Sequence, residues 1–491
     1  MAQFYDTMLA QYIKNPGQRW LWLDSIAERE FEYKMISFDQ ITAKKTLNFE
    51  EVDLPQAAIY SWEDVYMTHK LYQNQKQNPY ITQELKTDWI LKSIEFPLMK
   101  VLSKMEMTWI KIERDILKWL GMQLESAIKE LEIEIFSLAW ENFNINSPKQ
   151  VWEILFVKLW YPTAKKTKTW FSVNAEVLEQ LAKDYPIASK IVEYRHYSKL
   201  KSTYVEWLLS VATQDDRIHT SYNQTIASTW RLSSTNPNLQ NIPTGDGIAW
   251  KIRKAFIVDS AGDLLVAFDY SQVEVRLLAI MSGDENLLKA FKEGRDIHQV
   301  TAEFIFKTTE ITSTQRKFAK AVNFWVIYGI SPFWLTKMID ISQKEAREYI
   351  DAFYENYPKV REFYDATIAS CKKNSYVETL FGRRRYIPSI NDKNKMLASS
   401  AEREAINMPI QWSSADIIKI AMIRIDNFLE KGNFKSTMLL QVHDELVFNI
   451  VVNEYSQLVV EIPKIMESIL KDAPIELKVD SGEWKNWKEC K

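Results

Sequence analysis

Apolar residues recur with the 3.6-residue period of amphipathic helices over most of this chain. Residues 1–85 are predicted to form short helices, of which AAIYSWEDVYMTHKLYQNQ is the clearest. Residues 86–215 are predicted to form longer helices, such as ERDILKWLGMQLESAIKELEIEIFSLA, and residues 285–430 return to this pattern. The polar stretch RLSSTNPNLQNIPTGDG, residues 231–247, is predicted to be a loop because it is rich in Ser, Asn, Pro and Gly.

Two stretches carry the apolar runs that are typical of buried strands. DLLVAFDYSQVEVRLLAIMS begins as an apolar strand and continues with a helical pattern, and STMLLQVHDELVFNIVV predicts a hairpin of two apolar strands around a polar tip. Helices come first, then strands interleaved with a helical insertion, then strands again. This order predicts an α+β fold, and a chain of 491 residues is expected to hold two to four domains.

Composition narrows the class of protein. With 46% hydrophobic and 26% charged residues and no apolar run of eighteen, the chain is expected to be globular and without a membrane span. The first residues, MAQFYDTMLAQYIKN, lack the apolar segment of a secretory signal. Two cysteines, Cys371 and Cys490, are too few for a disulfide framework or a zinc site, which favours the reducing cytoplasm.

The net charge of −3 does not by itself indicate a nucleic-acid-binding protein. Between Lys149 and Lys201, however, ten Lys or Arg residues face five Asp or Glu residues. A solvated helix face explains such a segment most simply, and a surface that grips a nucleic-acid backbone is the alternative.

Two acidic positions stand at the ends of predicted strands. Asp269 ends the apolar strand of VAFDYSQVEVR, and Asp444 and Glu445 occupy the tip of the hairpin QVHDELVF. A polar hairpin tip is usually only a turn. If the two strands pair, however, their carboxylates can share two Mg²⁺ ions, which prefer carboxylate and phosphate oxygens and can promote an in-line displacement at phosphorus.

A stripe of cations and aromatics runs along the predicted helix RKFAKAVNFWVIYG. Arg316, Lys320, Phe324 and Tyr328 recur every four residues and therefore lie on one slightly slanted face. Two cations followed by two aromatic rings suit a triphosphate followed by a base. An ordinary amphipathic helix explains the stripe about equally well.

Polar donors in the predicted loop offer a third candidate site. Arg231, Asn238, Gln240 and Asn241 could contact the minor-groove acceptors that every base pair presents, and so test pair geometry without reading sequence. In isolation, the loop could equally be a surface turn.

These segments together resemble a known family. DYSQVEVR, RKFAKAVNFWVIYG and QVHDEL, in this order, are similar to motifs A, B and C of the bacterial DNA polymerase I family, the A-family DNA polymerases. RLSSTNPNLQNIP, GRDIH and FGRRRYIP resemble further signatures of the family. The resemblance spans essentially the whole chain, and six ordered motifs are a specific signal.

The resemblance implies a right-hand polymerase of the α+β class, with an antiparallel palm sheet and helical fingers and thumb. The implied parts are a C-terminal remnant of a 3′–5′ exonuclease domain at 1–85, thumb and start of palm at 86–230, palm with motif A at 231–284, fingers with motif B at 285–400, and palm with motif C at 401–491.

The implied activity is template-directed addition of deoxynucleotides to a primer 3′-hydroxyl with release of pyrophosphate, in DNA replication or repair. Two Mg²⁺ ions, with Mn²⁺ as a substitute, would be the cofactors. Primer–template DNA and dNTPs would be the partners of a cytoplasmic monomer without membrane contact.

The resemblance also implies a role for individual residues. The implied catalytic residues are Asp269, Asp444, Glu445 and Lys320, and the implied metal ligands are Asp269, Asp444 and the Tyr270 carbonyl. The implied nucleotide-binding residues are Arg316, Lys320, Phe324, Tyr328, His298, Gln272 and Glu274, of which Glu274 would be the steric gate against a ribose 2′-hydroxyl. The implied DNA-binding residues are Arg231, Asn238, Gln240, Asn241, Arg253, Asn407, Gln411 and His443.

The N-terminal part resembles the end of the family's 3′–5′ exonuclease domain. YSWED places Tyr60 and Asp64 on the third motif of that domain, but the segments that carry its other carboxylates are missing from this sequence. A two-metal site cannot form from one Asp, so no proofreading by this chain is expected.

Tryptophan stands where this family has glycine. NFWVIYG, STWRLSS and PIQWSSAD differ from the family in this way at Trp325, Trp230 and Trp412, and the same holds for GEWKNW at Trp484 and for Trp109, Trp170, Trp250 and Trp334. Only Trp487 matches a tryptophan of the family. The chain has 11 Gly and 18 Trp, and exchanging seventeen tryptophans would give 28 glycines in 491 residues, close to the usual ~7%.

We therefore expect that UGA codons meaning glycine were translated as tryptophan. An indole needs room that a glycine position in a close helix contact does not provide.

Three alternatives to a DNA polymerase remain. A single-subunit RNA polymerase has a similar motif B, although Glu274 and Phe324 argue against it. A DNA-binding protein without catalysis, either a decayed paralogue or a mistranslated artefact, is a second alternative. Decay is disfavoured because the sequence retains Asp269, Asp444, Lys320 and Arg316. A soluble helical scaffold is the third, and the ordered motifs disfavour it.

Overall fold

The structure is a computed structural model that describes residues 4–16, 20–78, 81, 85–162, 173–243, 247–339 and 341–490. Up to residue 230, the α-helices in these ranges are Thr7–Lys14, Leu23–Phe31, Phe38–Ile41, Leu54–Gln77, Leu85–Ile90, Phe96–Thr108, Arg114–Ala139, Pro148–Trp152, Ala175–Ala182, Pro186–Lys199 and Trp207–Val211, with π-helical turns at Leu91–Glu95, Glu153–Lys158 and Leu200–Glu206. Beyond it they are Val273–Ser282, Glu285–Lys292, Ile297–Phe306, Ser313–Ile327, Pro332–Ile339, Gln343–Asn356, Pro358–Asn374, Lys395–Lys431 and Tyr455–Glu467. None of the helices in the described ranges has the length and apolarity that a membrane crossing requires.

Strands are fewer and short. In chain order they are β1 Ile110–Ile112, β2 Arg217–Ile218, β3 Ser221–Asn223, β4 Ser233–Thr235, β5 Phe256–Ile257, β6 Leu264–Tyr270, β7 Tyr376–Glu378, β8 Arg384–Tyr386, β9 Thr437–Val442, β10 Glu445–Ile450 and β11 Val479–Trp484. They form an antiparallel four-stranded sheet of order β11-β6-β10-β9, a three-stranded sheet of order β2-β1-β5, and two hairpins. Helices together with antiparallel sheets give the α+β fold that the sequence predicts.

The four-stranded sheet is buried on both faces. Val266, Phe268 and Phe448 point into the larger core, together with residues of the helices Val273–Ser282, Lys395–Lys431 and Tyr455–Glu467. Alternate residues of the same strands, such as Leu265 and Val447, point into a second core that includes helix Arg114–Ala139. Burial on two faces explains why β6 and β10 are apolar along nearly their whole length.

Most elements near the sheet agree with the pattern analysis. The strand-to-helix segment and the hairpin of β9 and β10 are confirmed. The loop prediction for residues 231–247 is wrong in part, because Ser233–Thr235 pairs with Ser221–Asn223 and the buried Ser234 hydroxyl bonds to Thr220. The short hairpin of β7 and β8 was not predicted. The domain boundaries remain a prediction, and the basic stretch at 165–169 lies outside the described residues.

Four fully buried charges join segments that are distant in sequence. Arg383 binds Glu95 at 2.7 Å and Asp416 at 2.5 Å, and Lys419 binds Glu95 at 2.8 Å. Burial alone would raise the pKa of Glu95, but Lys419 and Arg383 lower it to about 2. Two carboxylates and two cations balance one another, which is the condition under which buried charges are tolerated.

Five tryptophans have a backbone conformation that glycine adopts easily and bulky residues rarely do. Trp20, Trp109, Trp140, Trp160 and Trp230 have φ between 54° and 65°. Trp140 ends helix Arg114–Ala139 in the left-handed conformation, which is the usual place of a C-terminal glycine. The sequence comparison with the family did not single out Trp20, Trp140 or Trp160.

We predict opposite effects for two glycine substitutions at helix Arg114–Ala139. Trp140→Gly should raise the free energy of unfolding by about 1 kcal/mol, because the indole is 86% exposed and the left-handed backbone disfavours a side chain. Trp119→Gly, within the same helix, should lower it by about 1 kcal/mol. Urea denaturation of both variants measures the two changes, and a loss of stability in Trp140→Gly would contradict the backbone argument.

Candidate active site

The pairing of β6 with β10 brings the two acidic positions together. Asp269 lies directly opposite Glu445 in the antiparallel ladder, and Asp444 precedes Glu445 in the hairpin turn. The backbone N–H of Tyr270 donates to the carbonyl of Asp444 at 3.3 Å. The end of β6 is thus hydrogen-bonded to the turn between β9 and β10, and the expectation that the strands carrying the two acidic positions adjoin is confirmed.

Asp480, which was not predicted from the sequence, extends the pair of Asp269 and Glu445 to a row of three carboxylates across the sheet. Asp480 of β11 pairs with Asp269 on the side opposite Glu445, so three acidic residues lie side by side on one face of the sheet. Like charges directly opposite one another destabilise a sheet. Glu445 is partly compensated, because the indole N–H of Trp487 donates to its Oε1 at 2.8 Å. The register between strands cannot be read from sequence, which is why Asp480 was overlooked.

The donor set fits divalent cations that keep some of their ligands from substrate or water. Asp269 and Asp444 offer carboxylate oxygens, which Mg²⁺ prefers. Within the described ranges, no group of three or more His, Cys, Asp or Glu side chains is arranged to hold a metal ion by itself. A site of this kind therefore suits an ion that is also bound by phosphate oxygens.

A cleft of about 640 Å³ opens beside the hairpin turn and gathers most of the predicted nucleotide-binding residues. It is lined by Arg231, Gln272, Val273, Glu274, Val275, His298, Lys317, Lys320, Ala321, Phe324, Ile327, Tyr328, His443 and Asp444. Helix Ser313–Ile327 forms one wall, and the start of helix Val273–Ser282 faces it. Lys317 was not predicted from the sequence.

Glu274 is held from two sides within this cleft. Arg231 binds its Oε1 at 2.6 Å, and the hydroxyl of Tyr328 donates to its Oε2. Burial raises the pKa of Tyr328, and the nearby Glu274 carboxylate raises it further, so the phenol remains a donor. These two contacts fix the carboxylate at the mouth of the cleft.

The predicted triphosphate-binding residues divide into two groups. Lys320 and His298 line the cleft, whereas Arg316 does not and instead binds Asp296. The His298 ring is close to the Asn323 amide, at 3.0 Å from Nδ1. Burial lowers the pKa of His298; Asp296 opposes this effect, and Lys320 and Arg316 add to it. Burial thus favours the neutral form of the imidazole.

Two predicted DNA-binding residues are directed inward. The Arg253 side chain is buried and donates to the carbonyls of Ile242 and Pro243, and its contact with DNA stays a prediction. The Gln240 amide donates to Gln441 and accepts from the backbone N–H of Ser234, so it supports the loop, and its contact with DNA stays a prediction.

The other loop residues are more accessible. Asn238 is partly exposed and caps the short turn Leu239–Asn241, and Asn241 is exposed. His443 is exposed in the hairpin turn next to Asp444. These positions remain predictions for DNA binding.

Helix Lys395–Lys431 places two further predicted residues behind the aromatic pair. The Asn407 amide donates to the carbonyl of Tyr328 at 3.2 Å, and Gln411 hydrogen-bonds the Tyr328 side chain. Trp325 packs partly against the larger core, with its ring 5.3 Å from that of Phe324. This helix thus connects the cleft wall to the sheet.

Tyr60 and Asp64 lie one turn apart on helix Leu54–Gln77 and hydrogen-bond to each other. Burial and the adjacent Glu63 raise the pKa of Asp64. The absence of proofreading remains a prediction.

We predict that the row of carboxylates lowers stability unless a divalent cation is bound. In EDTA, Asp269→Asn should raise the free energy of unfolding by roughly 0.5–1 kcal/mol, because it removes repulsion from Glu445 and Asp480. Mg²⁺ should then stabilise the parent but not the variant. The exposed Asp351→Asn is the control in thermal denaturation, and equal stability of parent and Asp269→Asn without metal would contradict the prediction.

Comparison with known proteins agrees with this geometry. The sequence model of DNA polymerase family A matches residues 114–489. DNA polymerase I of Lactococcus lactis subsp. lactis is 46% identical over 411 residues, which cover 83% of this chain and 47% of the relative. DNA polymerase I of Bacillus subtilis is 41% identical over 495 residues, 99% of this chain and 55% of the relative. The chain spans about half the length of these curated relatives.

A solved structure extends the likeness to the fold. The POL domain of Pol1 from M. smegmatis, in complex with DNA primer-template and dNTP, superposes with a TM-score of 0.88 at 33% identity, over 99% of this chain and 82% of that one. The match of both sequence and fold leads to one conclusion: this chain belongs to DNA polymerase family A.

Proposed function

We propose that this chain is a DNA-directed DNA polymerase that adds deoxynucleotides to a primer 3′-hydroxyl and releases pyrophosphate. The observation that carries the proposal is the shared cleft. Asp444 of the hairpin turn lies on one side of it, and Lys320 and Phe324 of helix Ser313–Ile327, with Tyr328 at the end of that helix, lie on the other. Groups suited to a metal ion, a phosphate and a base therefore face a single space.

Asp269 and Asp444, with the Tyr270 carbonyl, would hold divalent cations. Two Mg²⁺ ions, or Mn²⁺ in their place, would activate the primer hydroxyl and offset the charge of the leaving pyrophosphate. Glu445 would assist from the position next to Asp269 in the sheet, where the hydrogen bond from the Trp487 indole fixes it in the row of carboxylates.

The helix side of the cleft would bind the nucleotide. Lys320 and Arg316 would neutralise phosphate oxygens, and His298, which lines the cleft, would donate a hydrogen bond to them. Phe324 and Tyr328 would border the new base pair. Gln272 precedes helix Val273–Ser282 at the cleft and would contact the nucleotide there.

The fixed position of Glu274 suggests how a deoxyribose would be selected. A carboxylate held by both Arg231 and Tyr328 cannot swing aside at low cost, so it would exclude a 2′-hydroxyl from the space next to it. This rigidity favours DNA synthesis over the RNA polymerase alternative.

Primer–template DNA would approach over Arg231, Asn238, Asn241, Asn407, Gln411 and His443. The related mycobacterial domain is described in complex with such DNA and a dNTP, which supports these partners. We further propose that the chain acts as a cytoplasmic monomer in replication or repair.

Primer extension tests the proposed function. The chain with glycine in place of every tryptophan except Trp487 should extend a primer with dNTPs and Mg²⁺, with at least a hundredfold preference over rNTPs, because Glu274 restricts the sugar site. Asp444→Asn should lower the rate at least a hundredfold while primer–template binding persists. Extension by rNTPs at an equal rate would favour the RNA polymerase alternative, and DNA binding without extension would favour a non-catalytic role.

The tryptophans bear on this function, and we propose that the active protein has glycine at these positions. Trp230 and Trp412 are buried, and their indole N–H groups have no hydrogen-bond partner among the described residues. The rings of Trp109 and His219 overlap in space, so this position cannot hold both side chains. Trp170 and the Trp484 side chain lie outside the described part of the structure.

Restoring glycine tests this proposal. The chain with glycine in place of every tryptophan except Trp487 should extend primers, whereas the chain with literal tryptophans should be poorly active or misfolded. Circular dichroism separates misfolding from inactivity. Equal activity of the two chains, or UGG codons at Trp230, Trp325 and Trp412, would contradict the decoding hypothesis.

A further inference from the structure

Asp296 has no part in the proposed chemistry, yet it binds one of the residues that do. Its Oδ2 accepts hydrogen bonds from Arg316 Nε at 2.6 Å and from an Nη of the same guanidinium at 2.5 Å. The Arg316 side chain is 46% exposed and the Asp296 side chain 29% exposed. One edge of the Arg316 guanidinium thus hydrogen-bonds Asp296, while the side chain remains partly exposed to solvent.

The other oxygen of Asp296 is engaged as well. Its Oδ1 accepts from the backbone N–H groups of His298 and Gln299 at the start of helix Ile297–Phe306. Burial alone would raise the pKa of Asp296, but the hydrogen bonds from Arg316 and His298 lower it. The positive end of the helix also favours an anion at this position. The carboxylate is therefore charged and fixed on both oxygens.

The two residues belong to helices that pack against each other. Asp296 precedes Ile297–Phe306, Arg316 lies in the first turn of Ser313–Ile327, and these two helices share an extensive contact. The pair joins parts of one helical unit, so it would persist if that unit moved relative to the sheet.

The position of Arg316 beside the cleft explains why such a contact is useful. Lys320, one turn further along, lines the cleft, and His298, two residues after Asp296, lines it as well. A guanidinium has five N–H donors in a rigid plane, so fixing the edge that holds Nε determines where the opposite edge points. A free Arg side chain would instead lose about 2 kcal/mol of rotamer entropy on binding.

We infer that Asp296 is a positioning residue that holds the Arg316 guanidinium in place to receive the triphosphate of the incoming nucleotide. This inference rests on the proposed function, because it assigns Arg316 to a nucleotide. Asp296 itself would not touch the nucleotide, and its effect would pass through Arg316.

A double-mutant cycle tests this inference. Asp296→Asn removes the charge but keeps a side chain that caps helices as well as Asp does. It should raise the KM for dNTP about tenfold and leave the Kd for primer–template unchanged. In an Arg316→Ala background, the same substitution should change the KM for dNTP less than twofold.

The matched control is Glu303→Gln on the same helix. Glu303 pairs with Arg295 at 2.7 Å, so its substitution removes an equal charge without touching Arg316. It should leave the KM for dNTP within twofold of the parent. Thermal denaturation verifies that all variants are folded.

Three outcomes would overturn the inference. The first is a lower KM for dNTP in Asp296→Asn, which would show that the carboxylate competes with the triphosphate. The second is that the effects of Asp296→Asn and Arg316→Ala on this KM multiply in the double variant. The third is that Glu303→Gln raises this KM as much as Asp296→Asn does. The variants are made in the form of the chain that extends primers. A parent that extends none contradicts the proposed function, whereas these three outcomes contradict only the role of Asp296.

Discussion

The antiparallel pairing of β6 with β10 is the constraint on which the candidate site depends. Six consecutive pairs, from Asp269 with Glu445 to Leu264 with Ile450, fix the register. A slip of one residue would turn every side chain of a strand to the opposite face. The apolar residues on both faces therefore determine where the carboxylates lie, although none of them takes part in the proposed chemistry.

This arrangement places acidic side chains directly opposite one another in the sheet, where their repulsion lowers the stability of the fold. Asp269 lies between two acidic neighbours in the sheet, and Asp444 is in the adjoining turn. Carboxylates gathered in this way attract a metal ion, and the ion's own charge then changes the local electrostatics. The opposite solution is found around Glu95, where buried charges are matched and the proposed chemistry uses none of them.

The sequence predicts the parts of the site whose signal is local. Asp269 follows an apolar run, Asp444 lies between two such runs, and the stripe from Lys320 to Tyr328 has helical spacing. The contacts between segments were not predictable in the same way. Asp480 joins the row through strand register, and Arg253 is buried because the two carbonyls that it binds are brought to it by the loop. Helical spacing likewise placed Arg316 on the stripe, but its guanidinium binds a carboxylate that caps another helix.

The four buried charges also bear on how a shorter version of this protein should be designed. The family match begins at residue 114, which invites a fragment starting there, but Glu95 lies upstream of that point. Without it, Arg383 and Lys419 would share a single carboxylate, Asp416, in a site from which water is excluded. Removing one partner of a buried ion pair typically costs about 3–5 kcal/mol. An autonomous fragment therefore has to begin before the helical segment that contains Glu95, and the bounds of the family match alone would set the cut too late.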